Sequence, residues 1–236
     1  MAHPAKNLLS GIQVLFEDNH LIAVNKPAGV LVQGDETGDP TLADWVKAYI
    51  KDRYKKPGDV FLGVIHRLDR PVSGVVVFAR TTKALVRMNE LFAERKVEKS
   101  YLAIVAHRPD PLKGRLTHFI LKDTEKNVVK AYEQTGRRTK DAKEAILDFE
   151  LLASIGDHHL LEVNPLTGRP HQIRVQLSKI GCPIYGDVKY GGPKISHDTS
   201  ILLHCRSLTF EHPVKKEQVF IEAEAPQGQR WDLFGL

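Results

Sequence analysis

Gly63-Val64-Ile65-His66-Arg67-Leu68-Asp69-Arg70-Pro71-Val72-Ser73-Gly74, followed at once by Val75-Val76-Val77-Phe78, is the stretch on which the reading of this chain turns. Val64-Ile65 and Val75 to Phe78 are short apolar, β-branched runs bounded by Gly and Pro. They predict strand, loop, strand, with Asp69 near a strand end. The loop leaves one carboxylate among His66, Arg67 and Arg70. Flanking guanidinium groups favour the ionised form of a carboxylate, and a partly desolvated carboxylate so placed is a candidate nucleophile or general base. An Asp that caps a turn or holds a structural ion pair fits the same window, so residues elsewhere must decide.

Upstream, Val14-Leu15-Phe16, Leu21 to Val24 and Val30-Leu31-Val32 are three β-rich runs separated by polar or Gly/Pro turns, which predicts an antiparallel meander. Thr41 is placed to cap a helix through Leu42, Trp45, Val46 and Tyr49, and Lys51 to Asp59 reads as a surface loop. Downstream, a helix starts at Thr81 or Thr82 with Ala84, Leu85, Met88, Leu91 and Phe92 as its apolar stripe, and Lys99 to Val105 reads as a strand. Ala142 to Ser154 and Leu160 to Val163 form a predicted hairpin across Gly156-Asp157-His158-His159. Pro170 suits the first turn of a helix that turns Ile173, Leu177 and Ile180 one way and His171, Arg174 and Ser178 another, with Gly181 as terminator. Ile201 to Phe210 and Gln218 to Ala225 are further strands. Without regular strand–helix alternation, the fold class is α+β, built on a large mixed, mainly antiparallel sheet flanked by helices.

The 236 residues are 42% hydrophobic, enough for a substantial core. Lys and Arg outnumber Asp and Glu by 34 to 29, a net charge of +5 that suits a polyanionic partner without requiring one. Cys182 and Cys205 form no CxxC pair, so a disulfide framework or thiolate zinc site is not indicated and a reducing cytoplasm is the expected location. His158-His159 and His204-Cys205 are adjacent pairs whose side chains diverge, which argues against a metal. Met1 to Gly11 lacks the apolar core of a signal peptide, and no apolar run approaches a membrane span. No phosphate loop or dinucleotide fingerprint occurs, so no cofactor is expected.

Four clusters remain as candidates for chemistry: Lys26-Pro27-Ala28-Gly29, the Asp69 loop, Tyr101, and Thr167-Gly168-Arg169-Pro170-His171-Gln172-Ile173-Arg174. Each has a plain reading. The first is a turn with a solvated Lys, Tyr101 is half-buried packing, and the last is either a solvated basic face or a phosphate site at a helix start. A glycosidase would need a second cooperating acid, and none is placed as Asp69 is.

Taken together and in order, these clusters resemble the RluA-type family of RNA pseudouridine synthases. Glu17-Asp18 leading into Asn25 to Gly29, His66-Arg67-Leu68-Asp69-Arg70 with Ser73-Gly74, Lys99-Ser100-Tyr101, Thr167 to Arg174, and Gly186-Asp187 with Tyr190-Gly191 carry the resemblance over roughly Phe16 to Pro213. It implies isomerisation of uridine to pseudouridine in structured RNA, ribosomal or transfer, without cofactor or metal, on a mixed sheet split by a central active-site cleft. By position, Asp69 becomes the catalytic aspartate, Tyr101 the residue packing on the target base and Arg174 the cationic partner of Asp69. Lys26, His66, Arg67, Arg70, Arg169 and His171 become RNA contacts. Pro71-Val72 stands where the family often has an acidic residue and Thr, and Pro170 where Thr is usual; both imply altered loop rigidity or RNA preference. Residues 1–236 are expected to be a single, monomeric catalytic domain without a separate amino-terminal RNA-binding domain. A noncatalytic RNA-binding protein retaining the cleft is the rival reading.

The chemistry fits the resemblance. Uracil must be detached, turned and rejoined through C5 before water intervenes. A carboxylate can attack the anomeric carbon or assist loss of the C2′ proton, and both routes stay open. The uridine must leave its stack, an aromatic ring such as Tyr101 can receive it, and Arg67 can fill the gap left behind. The Tyr101 hydroxyl is the candidate base for the C5 proton.

Overall fold

The computed structural model describes residues 12–35, 37–123, 128–137, 139–195, 200–228 and 230–236. The reading of Met1 to Gly11 lies outside them. In chain order the elements are β1 (Gln13–Glu17), β2 (Leu21–Lys26), α1 (Leu42–Arg53), β3 (Gly63–Val64), β4 (Ser73–Ala79), α2 (Thr82–Ala93) and β5 (Glu98–Val105). There follow β6 (Lys113–Asp123), β7 (Val128–Tyr132), β8 (Lys143–Ile155), β9 (His158–Pro165), α3 (Gln172–Lys179), β10 (Leu203–Glu211) and β11 (Gln218–Glu222). The α+β class with a large, mainly antiparallel sheet is therefore as expected. No helix among the described residues is long and apolar enough to cross a membrane.

The chain divides into two compact units, each assembled from two stretches. The first takes the described residues of Met1–Val97 with Cys205–Pro226. At its centre β2 pairs antiparallel with β4, from Leu21 opposite Ala79 to Lys26 opposite Gly74. All seven residues of β4 are buried, as a strand covered on both faces requires. Leu42, Val46 and Ile50 of α1 and Ala84 and Met88 of α2 are buried as well. Each such Leu, Ile or Val contributes about 1.5–3 kcal/mol of transfer free energy. Thr41 caps α1 in a reciprocal capping box with Asp44, and Thr81 caps α2 through the Ala84 N–H.

The second unit takes Glu98–His204 with the described part of Gln227–Leu236. Its strands run β5-β9-β8-β6-β7, with antiparallel pairing throughout. Against them lies α3, held by polar as well as apolar contacts: the buried Gln176 amide donates to the carbonyls of Leu116 and Ala145 at 3.3 and 3.1 Å.

Several local expectations are corrected. Val30 to Val32 is not a strand, because its carbonyls are diverted: Val30 O accepts from the Lys26 ammonium, while Leu31 O and Val32 O accept the Leu42 and Ala43 N–H groups. α1 runs to Arg53, through the front of the expected loop. The β8–β9 turn is tighter than expected, with His158 and His159 already in β9. α3 begins after Pro170, at Gln172, and buries both of its supposed faces, Arg174 along with Ile173 and Leu177.

Candidate active site

The Asp69 loop is built on main-chain carbonyls gathered around one buried ammonium. Lys26 ends β2 with no exposed surface, and its Nζ donates to Val30 O at 2.7 Å, Pro27 O at 3.0 Å and Arg70 O at 3.2 Å. Its assignment as an RNA contact is thereby corrected: the donors are spent inside the protein, tying the Lys26 to Gly29 turn to a loop 44 residues away. Burial pushes the Lys26 ammonium down to about 7 from its ordinary 10.5, with the Asp69 carboxylate pulling it back up and Arg70 pressing it further down.

Gly29 and Arg70 grip each other. The Gly29 N–H donates to Arg70 O at 2.7 Å, and the Arg70 Nε donates to Gly29 O at 3.0 Å. Arg70 Nη2 also pairs with Asp39 at 2.8 Å, so this half-exposed guanidinium, expected on RNA, is largely committed to the loop. Val72 N–H closes a turn onto Asp69 O at 3.0 Å, leaving Asp69 half-buried and Arg67 exposed. Just past the turn, Gly74 has φ +117°, and a Cβ there would lie 2.2 Å from the Cys205 carbonyl oxygen, so no other residue fits.

His66 is an anchor. Beyond the two-residue β3 ladder, the Val77 N–H donates to His66 Nε2 at 3.0 Å, and the ring stacks on Phe92 at 5.2 Å. The imidazole thus continues the strand pairing that β3 abandons and supports the loop from behind.

In the second unit, Tyr101 is half-buried on β5, opposite Val163 of β9. Arg174 is buried with a carboxylate to which the sequence alone assigns no role: Asp187 accepts its Nε at 2.7 Å and its Nη2 at 2.8 Å. The guanidinium lies 5.1 Å from the centre of the Tyr190 ring. The Tyr190 hydroxyl accepts the Val129 N–H at 3.1 Å and shares a 2.5 Å hydrogen bond with Nδ1 of His171. His171 itself takes left-handed backbone, φ 52°, at the N-cap of α3. Arg169 donates from Nε to Glu144 O at 2.9 Å. Behind them Thr167 Oγ1 donates to Gln172 Oε1 at 2.7 Å and accepts the Ile146 N–H at 2.9 Å. The signal that could have given Asp187 its role was a helical Arg with no acid three or four residues away, in a chain whose Gly186-Asp187 has no other task.

Taken by itself, a carboxylate on a braced turn can act as nucleophile or base, an aromatic hydroxyl as proton acceptor and a fixed guanidinium as electrostatic support. Comparison with known proteins gives this chemistry a context. The model of a family described as RNA pseudouridylate synthase matches residues 20–179. The ribosomal large subunit pseudouridine synthase C of Rickettsia bellii (strain RML369-C) is 31% identical over 215 residues, covering 90% of this chain and 68% of that one. The tRNA pseudouridine synthase C of Haemophilus influenzae (strain ATCC 51907 / DSM 11121 / KW20 / Rd) is 34% identical over 237 residues, covering 90% of this chain and 92% of that one. The structure of human RNA Pseudouridylate Synthase Domain Containing 4 matches with a TM-score of 0.76 at 27% identity, covering 94% of this chain and 91% of that one.

Proposed function

The chain belongs to the RNA pseudouridylate synthase family, and on that ground we propose that it isomerises selected uridines of structured RNA to pseudouridine with Asp69 as its essential residue. The observation that carries the reading is the loop itself. A carboxylate is presented half-buried on a turn braced through Lys26 and Arg70, an arrangement that restricts where it can point. Asp69 either attacks C1′ of the target uridine, displacing uracil, or takes the C2′ proton. In both cases uracil rotates and rejoins through C5, and the C5 proton then leaves. Tyr101 supplies the ring against which the flipped base packs and the hydroxyl that receives that proton. Arg174 serves as the cationic partner of Asp69 during this sequence, its fork oriented by Asp187. The exposed Arg67 fills the space the uridine vacates. Arg169 and His171 remain candidate RNA contacts.

Transfer RNA is the first substrate to test, because the match to the Haemophilus influenzae enzyme runs nearly end to end on both chains. Ribosomal RNA is the second. Purified protein is given transfer RNA and ribosomal RNA labelled with tritium at C5 of uridine, and tritium release is followed. Asp69→Asn, which keeps shape and loses charge, is expected to lower turnover by at least about 10³-fold while RNA affinity stays within about twofold. Full activity of Asp69→Asn ends the assignment of that residue. RNA binding without tritium release from either RNA favours the noncatalytic rival.

A further inference from the structure

The carboxyl-terminal end of α1 carries an aromatic and basic surface that the proposed reaction does not use. Trp45 and Tyr49, four residues apart, stack at 5.4 Å and 11°, and the Arg53 guanidinium lies 5.8 Å from the Tyr49 ring. The C-cap residue Tyr54 is held more firmly still. Its hydroxyl donates to Glu17 Oε1 at 2.8 Å, and the Arg80 guanidinium sits 4.7 Å from its ring centre. The side chain of Arg80 is only 10% exposed and pairs with the same Glu17 at 2.9 Å. Tyr54 is nevertheless 46% exposed. Since one ring face covers a buried cation and the tip is tethered, the exposed area belongs to the opposite face. A tyrosine fixed at tip and face while presenting the other face to solvent is a ready stacking platform, its ordering cost met before any ligand arrives.

Around it, Lys47, Lys51, Lys55 and Lys56 are all exposed, with Asp44 and Asp52 as the acids of the same segment. Cations around an aromatic face are what single-stranded nucleic acid requires: every base has a π-face to stack, and every phosphate a charge to neutralise. We infer that this end of α1 is a second RNA contact, where an unpaired base outside the reacting nucleotide stacks on Tyr54 and the lysines hold the flanking phosphates. The inference rests on the reading of RNA as substrate. α1 is 12 residues long, so Tyr54 stands about 18 Å from the helix start, where the Leu42 N–H bonds to Leu31 O. The contact therefore senses RNA well away from the Lys26 turn.

The probe is a fluorescein-labelled twelve-nucleotide oligouridylate, with affinity read by anisotropy. Tyr54→Leu is expected to weaken binding about tenfold, and Tyr54→Trp, which keeps an aromatic face, to restore most of it. Lys51→Glu combined with Lys56→Glu is expected to flatten the salt dependence. On a modified RNA, Tyr54→Leu raises KM with kcat unchanged. Unchanged oligouridylate affinity in Tyr54→Leu overturns the inference, as does a polyglutamate peptide that competes at equal concentration. Asp69→Asn is expected to bind the probe as the unaltered protein does, so a failed catalytic assignment and a failed platform give different results.

Discussion

The Asp69 loop and the Arg174 helix are each organised by a buried cation, and they hold it in opposite ways. Around Lys26 the acceptors are carbonyls of Pro27, Val30 and Arg70, groups that any residues at those positions would supply. Arg174 instead donates to both oxygens of one carboxylate, Asp187. The first arrangement depends on one side chain and on the path of the backbone. The second depends on a matched pair of side chains, a bidentate ion pair whose two members are both buried. Mutational sensitivity should accordingly centre on Lys26 alone in one unit and on a pair in the other.

The largest expected effect comes from breaking the pair. Asp187→Ala removes the bidentate acceptor of the buried Arg174 and should cost about 3–5 kcal/mol in urea unfolding of the unit that contains it. An unchanged midpoint would mean that the ion pair does not hold α3. Next is the hydroxyl on β5. Tyr101→Phe keeps the ring, so base release should continue while tritium loss from C5 slows about 10²-fold in single-turnover experiments, about 2.7 kcal/mol of barrier. Unimpaired tritium release would leave Tyr101 only a packing role. The smallest effect sharpens the contrast through pH. The Lys26 amine titrates near 7 when folded and near 10.5 when unfolded, so between those values the unfolded chain holds a proton that the folded chain lacks. Stability from this group therefore rises with pH across that window, by about 1–2 kcal/mol from pH 7 to 8.5, and is weakest below 7. Lys26→Met should lose that slope. A wild-type slope identical to that of the variant would show that Lys26 stays charged within its ring of carbonyls.

Much of this was visible before any coordinates. β4 could be read because Val75 to Phe78 is apolar without interruption, and the caps of α1 and α2 because Thr41 and Thr81 precede apolar runs at helical spacing. The candidate site came from the order of its motifs, which no single spacing could give. Lys26 was misread because a Lys-Pro-Ala-Gly turn taken alone places its lysine in water; the carbonyl of Arg70 that helps enclose it is 44 residues distant. The structural partners of His66 and Arg70, Val77 and Gly29, were illegible for the same reason, since they are set by tertiary contact. On α3 the two-faced pattern hid a second buried face, because Arg174 and Gln176 are covered only by virtue of the acceptors they meet.

The interleaving of the two units sets a timetable for synthesis. β4, which follows the Asp69 turn, ends at Ala79, while β10, its neighbour in the sheet and the strand that crowds Gly74, begins only at Leu203. At about 5–20 residues per second, a ribosome needs roughly 6–25 s to make the intervening 123 residues. Through that interval the most apolar strand of the first unit has one edge covered only at its end, by the short β3 ladder and His66, and the rest waits exposed to mispairing and to chaperones. The reactive loop thus cannot mature while the chain is young, and premature termination anywhere before Leu203 should yield an aggregating fragment with no partial activity.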